Sequence, residues 1–349
     1  MRISVLMGGT SSERDVSIAS GLRVAGALRQ RGHHVVTVDT TRGALSEADE
    51  RAILAAGGVD TAPPSQDTLV VMARESLPST VRTLPQPSQV DVAFLALHGG
   101  AGEDGTIQAL LDLTGVPYTG SGHLASALAM DKDMSKRVLR DAGVPTPDWI
   151  MAPASCGRGD ADTLEDLEAE ALELIGLPMI VKPSKQGSTV GLTVVKHRDQ
   201  FAEAVREAFR YDDEVMVEQF IAGRELTVAI LGGEALPVGE IIPKHEIYDY
   251  ECKYTAGMAE EIFPADIPAE RAREAQDHAR HAFAALKLRG CARIDFRMAE
   301  DGRLFCLEAN TLPGMTQLSL VPQAAAAAGI TFPELCERIA LLALEERSA

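Results

Sequence analysis

One short stretch near the C-terminal end constrains the fold more than any other. Asp301-Gly302 lies between two alternating apolar runs, Ala292–Met298 and Leu304–Asn310, and reads as a two-residue hairpin turn. With that turn, Asp295 faces Glu308 and Arg293 faces Asn310. Side chains alternate along a strand, so all four share one face. Opposed side chains sit roughly 4.5–5.5 Å apart at Cβ, and like charges there destabilise the pair. Two facing carboxylates therefore ask for a cation, and oxygen-only donors suit Mg²⁺ rather than zinc. The competing reading is a solvated acidic strand pair. The apolar neighbours Ile294, Phe296, Cys306 and Leu307 weigh against it, because they make the hairpin core-like. An odd-length loop would break this register.

The remaining pattern alternates strands with helices. Residues 3–7 read as a buried strand, Glu13–Arg31 as a helix ending near Gly32, His34–Val38 as a strand, and Val92–Leu97 as a near-continuous apolar strand. Thr106–Leu113 is helical and stops at Gly115-Val116-Pro117. This argues a doubly wound α/β first domain with its functional loops at strand C-termini. Asp131–Ala142 reads as a helix capped by Gly143, and Cys156–Glu170 as an exposed polar stretch. Beyond Pro178 the strands Met179–Lys182, Leu192–Lys196, Val215–Phe220 and Leu226–Leu231 follow. Helices are expected over Arg271–Leu288 and Pro333–Arg347, whereas residues 40–90 carry weak signals.

Composition narrows the function. Of 349 residues, 51 are acidic and 33 basic, for a net charge of −18. Such a chain is a poor non-specific binder of nucleic acid or anionic membrane, so an anionic small substrate needs a local basic pocket. The N-terminal apolar run is too short for a signal-peptide core or a membrane span. Five cysteines contain no CxxC pair, which fits a reducing cytoplasm better than a disulfide framework or zinc site.

Several weaker signals each have an ordinary explanation. Ile180–Gly191 is a strand, a small basic loop holding Lys185-Gln186-Gly187-Ser188, and another strand. Its amides and lysines can wrap a phosphate chain, or it is an exposed turn; no Walker A pattern is present. Lys132 reads equally as a solvated helix lysine, Glu218 and Glu225 as edge-strand acids, and His98 as a loop histidine. Glu13 reads as an acid complementing a helix N-terminus, and Tyr248–Tyr254 as a surface loop.

Taken in order, the motifs resemble one family. Gly8-Gly9-Thr10-Ser11-Ser12-Glu13-Arg14-Asp15-Val16-Ser17, His98-Gly99 with Gly102-Glu103-Asp104-Gly105, Tyr118-Thr119-Gly120-Ser121-Gly122, Met130-Asp131-Lys132, Tyr248-Asp249-Tyr250 with Lys253-Tyr254, Arg293-Ile294-Asp295, and Glu308-Ala309-Asn310-Thr311 with Pro313-Gly314-Met315-Thr316 are similar to the D-alanine–D-alanine ligases of the ATP-grasp superfamily. The resemblance covers nearly the whole chain, apart from residues 40–90 and 152–170. It implies a mixed α/β and α+β ATP-grasp fold with an N-terminal doubly wound, Rossmann-like domain. The expected units are 1–120, a central unit 121–219, and a C-terminal unit 220–349 with the metal site.

The implied reaction phosphorylates one D-alanine carboxylate from ATP. The amine of a second D-alanine then attacks the acylphosphate, giving D-alanyl-D-alanine for peptidoglycan precursors. The implied cofactors are ATP and two Mg²⁺ ions, with Mn²⁺ as a substitute, and the implied state is a cytoplasmic homodimer. Carried over by motif, Asp295, Glu308 and Asn310 hold metal, while Lys132, Lys182, Lys253 and the Gly187-Ser188 lid contact phosphates. Glu218 with the backbone of Gln219, Phe220 and Ile221 takes adenine, and Glu225 takes ribose. Glu13 binds the first ammonium, and Arg293 with the Gly314 amide forms the oxyanion hole. Ser319 and the Leu320 amide bind the second carboxylate, and His98 lines the amino-acid pocket. Glu13, Ser188 and Tyr254 close the site as a hydrogen-bonded triad. Three rivals exist. A D-alanine–D-lactate ligase is disfavoured by the intact Lys253-Tyr254 pair, a non-catalytic nucleotide module by the full set of polar positions, and a different ATP-grasp ligase by the Glu13 and Tyr254 segments, which it would lack.

Overall fold

A computed structural model describes residues 1–56, 83–248, 250–255 and 257–345, with the side chains of Tyr250 and Tyr254 outside the description. The first sheet contains β1 (Arg2–Met7), β2 (His34–Asp39), β3 (Gly43–Ala44) and β4 (Val92–Leu95) in the order β3-β2-β1-β4. β1 runs parallel to both β2 and β4, and β3 is antiparallel to β2. β1 and β4 are buried along nearly their whole length, which explains why they read as unbroken apolar runs. The helix Arg14–Gln30 starts where β1 ends and buries Val24, Ala25 and Leu28 against the sheet.

The second sheet takes β5 (Trp149–Ala152), β6 (Met179–Pro183), β7 (Thr193–Val195) and β8 (Val215–Gln219) in the antiparallel order β5-β8-β6-β7. Helices Ala161–Leu174 and Phe201–Ala208 cover it. Residues 156–170 are therefore not an exposed polar stretch. Leu164, Leu167 and Ala171 recur at helical spacing and are buried, as is Cys156. The polar residues between them, which dominate the sequence, form the outer helix face.

The third sheet contains β9 (Gly223–Leu231), β10 (Glu234–Ala235), β11 (Gly239–Pro243), β12 (Ala259–Ile262), β13 (Cys291–Ala299) and β14 (Leu304–Asn310), in the order β12-β11-β9-β13-β14 with β10 on β9. Helix Ala269–Ala285 packs on it through Ala275, Ala279 and Ala282. The same core takes Ala125, Ala129 and Leu139 from helices His123–Met130 and Lys132–Asp141. The last two helices, Leu320–Ala327 and Phe332–Glu345, share a core with the first sheet and helix. The chain thus returns to its start, and loops from both ends meet beside β14.

The β13–β14 hairpin departs from the expected turn. Ala299 N–H donates to Arg303 O at 2.9 Å and Gly302 N–H to Ala299 O at 2.9 Å, so three residues, Glu300-Asp301-Gly302, make the loop. Gly302 has φ +83, the conformation that such a loop asks of its glycine. The ladder then pairs Met298 with Leu304 and Phe296 with Cys306, one residue out of the expected register. A bulge between Asp295 and Phe296 absorbs Leu307 and restores it, so Asp295 faces Glu308 and Arg293 faces Asn310. Two irregularities cancel, and the four side chains come to the face expected of them.

Candidate active site

Two adjoining cavities lie where the three sheets meet. The larger runs between β6, β8 and the third sheet; the smaller lies toward the first helix. They share Gly187, Ser188, Tyr248, Lys253 and Arg293. Lys132, Lys182, Glu218, Gln219, Phe220, Ile221, Glu225, Asp295 and Glu308 line the larger one. Glu13, His98, Asn310, Gly314, Ser319 and Leu320 line the smaller. Every site residue expected from sequence lines one of the two, except Tyr254, whose side chain is outside the description.

Glu308 is the electrostatic centre. Burial pushes its carboxyl up, but Lys132, Lys253, Lys182 and Arg293 outweigh burial and hold it at about 2. Lys132 Nζ is 3.3 Å from Glu308 Oε2 and donates to Gln186 O at 2.7 Å, which ties the lysine to the lid. Asp295 is gripped on all sides. Arg293 Nε and Nη2 donate to it at 2.9 and 2.8 Å, Thr227 Oγ1 at 2.7 Å, and Asn310 Nδ2 at 3.0 Å.

This donor set fits a hard cation. Two carboxylates and one amide share a face, and a half-turn of the Asn310 amide presents its oxygen instead of its nitrogen. Among the described residues no three His, Cys, Asp or Glu side chains group as a metal site. The protein alone therefore supplies a partial oxygen shell, which suits Mg²⁺ completed by phosphate and water.

Glu218 has a different setting from the one its sequence suggested. Its carboxylate sits 2.6 Å from Lys182 Nζ and 2.6 Å from Lys136 Nζ, deep in the wall. Burial would raise its pKa, but the two lysines hold it low. Both oxygens meet a lysine, and Glu218 lines the larger cavity beside the backbone after β8. Lys136 is itself fully buried, also donates to Thr146 Oγ1 and Pro147 O, and is pushed down to about 8 by burial. On a strongly amphipathic helix, one turn after Lys132, nothing in the sequence separates it from a surface lysine.

The lid is docked. Ser188 Oγ donates to Glu13 Oε1 at 2.6 Å, and Thr189 Oγ1 donates to Tyr248 O at 2.9 Å. Ser188 and Thr189 have φ +50 and +64, a left-handed conformation that a β-branched residue adopts only when its surroundings hold it there. A Cβ at Gly99 or Gly187 would sit 3.0 or 3.3 Å from Glu13 Oε2, so these glycines make room for the carboxylate.

The smaller cavity holds an acid that the sequence reading passed over. Glu103 accepts from Gly99 N–H at 3.0 Å and Leu312 N–H at 3.3 Å, and burial followed by repulsion from Glu13 raises it to about 7. Burial likewise raises Glu225 to about 7, against the pull of Arg297, 3.7 Å away. His98 is buried and held below the usual histidine range by burial. Gly314 lies so close to Ser319 that a Cβ would meet its Oγ at 2.6 Å, and that Oγ accepts from Thr316 N–H at 2.9 Å. Leu307, read from sequence as an apolar neighbour that makes the hairpin core-like, lines the larger cavity because the bulge turns it there.

Comparison with known proteins agrees with this geometry. The family described as D-ala D-ala ligase N-terminus matches residues 2–121, and the D-ala D-ala ligase C-terminus family matches residues 138–341. The D-alanine–D-alanine ligase of Geotalea uraniireducens is 44% identical over 97% of this chain and 94% of its own length. That of Geobacter sulfurreducens is 43% identical over 98% and 94%. Among solved structures, the Coxiella burnetii D-alanine–D-alanine ligase superposes with a TM-score of 0.79 at 30% identity, covering 100% of this chain and 95% of that one. The Bacillus anthracis enzyme complexed with ATP gives 0.72 at 32% identity, covering 100% and 98%. The chain belongs to the D-alanine–D-alanine ligase family and carries its ATP-grasp fold.

Proposed function

We propose that this chain joins two D-alanines using ATP, with the triphosphate in the larger cavity and the amino acids in the smaller. The observation that carries this reading is the seam between them: Gly187, Ser188, Lys253 and Arg293 line both cavities. A phosphoryl group leaving one ligand there meets the carboxylate of the other. The backbone of Gln219, Phe220 and Ile221 takes the adenine edge, and Glu225 the ribose hydroxyls. Lys132, Lys182 and Lys253 meet the phosphates. Asp295, Glu308 and Asn310 hold two Mg²⁺ ions, which supply charge neutralisation on the phosphates when bound.

The residues supply orientation and charge. Glu13, held by Ser188, takes the first ammonium, and Tyr254 is the third member of the triad that the family motifs imply. The carboxylate of that first D-alanine then points toward the γ-phosphate, and its phosphorylation releases ADP and makes it an acyl donor with phosphate as a good leaving group. Attack by the second amine puts negative charge on the former carboxyl oxygen, where Arg293 and the Gly314 amide stabilise it. Ser319 and the Leu320 amide hold the second carboxylate, and His98 walls the pocket. Closing the lid keeps water from the acylphosphate.

We further propose three units, 1–120, 121–219 and 220–349. Support comes from the sheets, since each range contains one complete sheet. A cytoplasmic homodimer serving peptidoglycan synthesis is part of the same proposal, and sedimentation equilibrium tests the dimer. Among the described residues no helix is long and apolar enough to cross a membrane.

The assay is phosphate release with D-alanine alone and with L-alanine, D-serine or D-lactate as second substrate. D-alanine alone should support turnover, and dipeptide should exceed depsipeptide at neutral pH when both acceptors are present. Mainly depsipeptide, or phosphate release independent of D-alanine, would overturn the reading.

A further inference from the structure

The first helix carries a buried polar stripe. Glu13 at its start, then Ser17 and Ser20, recur at the spacing of one helix face, and all three are buried. Glu13 meets the lid through Ser188. Ser17 accepts from Gly8 N–H at 2.8 Å and donates to Ala96 O at 2.7 Å, fixing the loop before the helix. Ser20 is fully buried, lies 3.1 Å from His98 Nε2, and accepts from Met315 N–H at 3.2 Å.

The direction of these bonds follows from elimination. His98 Nδ1 is 2.8 Å from Leu312 O, and a carbonyl can only accept. The ring proton therefore sits on Nδ1. In a neutral ring Nε2 is then an acceptor, so the Ser20 hydroxyl must donate to it. The same oxygen keeps a lone pair for Met315 N–H. One hydroxyl thereby satisfies three constraints without conflict.

What is pinned matters for the chemistry. Leu312 and Met315 bracket Pro313-Gly314, and the Gly314 amide is the proposed oxyanion donor. His98 holds the carbonyl at one end of this four-residue segment, and Ser20 holds the amide at the other. We propose that Ser20 is a positioning residue that locks His98 in its Nδ1–H form and fixes the 312–315 segment so that the Gly314 amide points into the smaller cavity. His98 then serves as a strut whose Nε2 lone pair is occupied, and it is not a base for the second amine. The kinetic part of this inference rests on the proposed reaction, whereas the tautomer does not.

The test is ¹⁵N NMR of the His98 ring in the full chain, together with steady-state kinetics. Wild type should show a neutral ring protonated at Nδ1. Ser20→Ala should change the Nε2 shift toward that of an unbonded imine nitrogen. It should lower kcat about tenfold, the effect of one hydrogen bond, while KM for ATP moves less than twofold. An Nε2–H tautomer in wild type overturns the proposal even if Ser20→Ala fails to fold. Ser20→Ala with normal kcat, or with an unchanged Nε2 shift, also overturns it. Absence of any D-alanine ligation by wild type would defeat the functional reading and still leave the tautomer to decide the strut.

Discussion

Glu308 is a buried carboxylate that stays ionised because Lys132, Lys182, Lys253 and Arg293 converge on it. The same residue is the counter-ion that lets three lysines sit together and, in the proposed reaction, a metal ligand. Glu308→Gln keeps shape and removes the charge. Turnover should fall by roughly two to three orders of magnitude, the scale of losing one preorganised electrostatic group. Binding of Mg-nucleotide should weaken more than binding of D-alanine, measured by calorimetry with each ligand. Near wild-type turnover at ordinary Mg²⁺ would sink the metal assignment. Glu218 shows the other use of a buried acid: with Lys136 behind it and Lys182 in front, it sets the position of a lysine.

At the scale of elements, the β13–β14 hairpin shows what a sequence can and cannot say. Asp301-Gly302 announces a turn, but the number of central residues depends on which partner Ala299 finds, and that is Arg303. The resulting slip would have turned Glu308 away from Asp295 had Leu307 not bulged out of the ladder. The facing carboxylates are legible from the turn, and the reading survives a longer loop only because the bulge cancels the slip; the bulge itself is not legible, because strict alternation has no symbol for an extra residue. Glu103 and Lys136 were hidden for a related reason. A charged residue in a glycine-rich loop or on a polar helix looks solvated until distant chain covers it. The bulge also has a consequence that alternation would forbid, namely that Leu307 and Glu308 both line the larger cavity. Leu307 stands there with the apolar side chains of Ile180 and Phe220. Leu307→Ala should raise KM for ATP roughly five- to thirtyfold, from about 1–2 kcal/mol of lost apolar contact, with kcat changed little. A normal KM for ATP would show that Leu307 does not touch the nucleotide.

The whole molecule registers these groups as a dependence of stability on pH. Glu103 and Glu225 are each raised to about 7 in the folded chain. Between the ordinary carboxyl range, near 4.5, and about 7, the folded state holds protons that the unfolded state has released. Stability from these two groups is therefore complete at low pH, falls as pH rises through that window, and levels off above about 7. Glu308, lowered to about 2, acts oppositely: its contribution is complete above about 4.5 and is lost as pH falls toward 2. His98, lowered by burial, adds stability as pH rises toward the ordinary histidine range, so it partly masks the carboxyls. The difference between two proteins removes the mask. Glu103→Gln loses the titration but keeps an oxygen acceptor for Gly99 or Leu312. Relative to wild type, its unfolding midpoint without nucleotide should climb steadily from pH 5 to about 7 and then run parallel. Thermal unfolding at constant ionic strength across pH 4–8 measures this. A constant offset over the whole range would mean that Glu103 titrates as it does in the unfolded chain and is charged in the pocket at neutral pH.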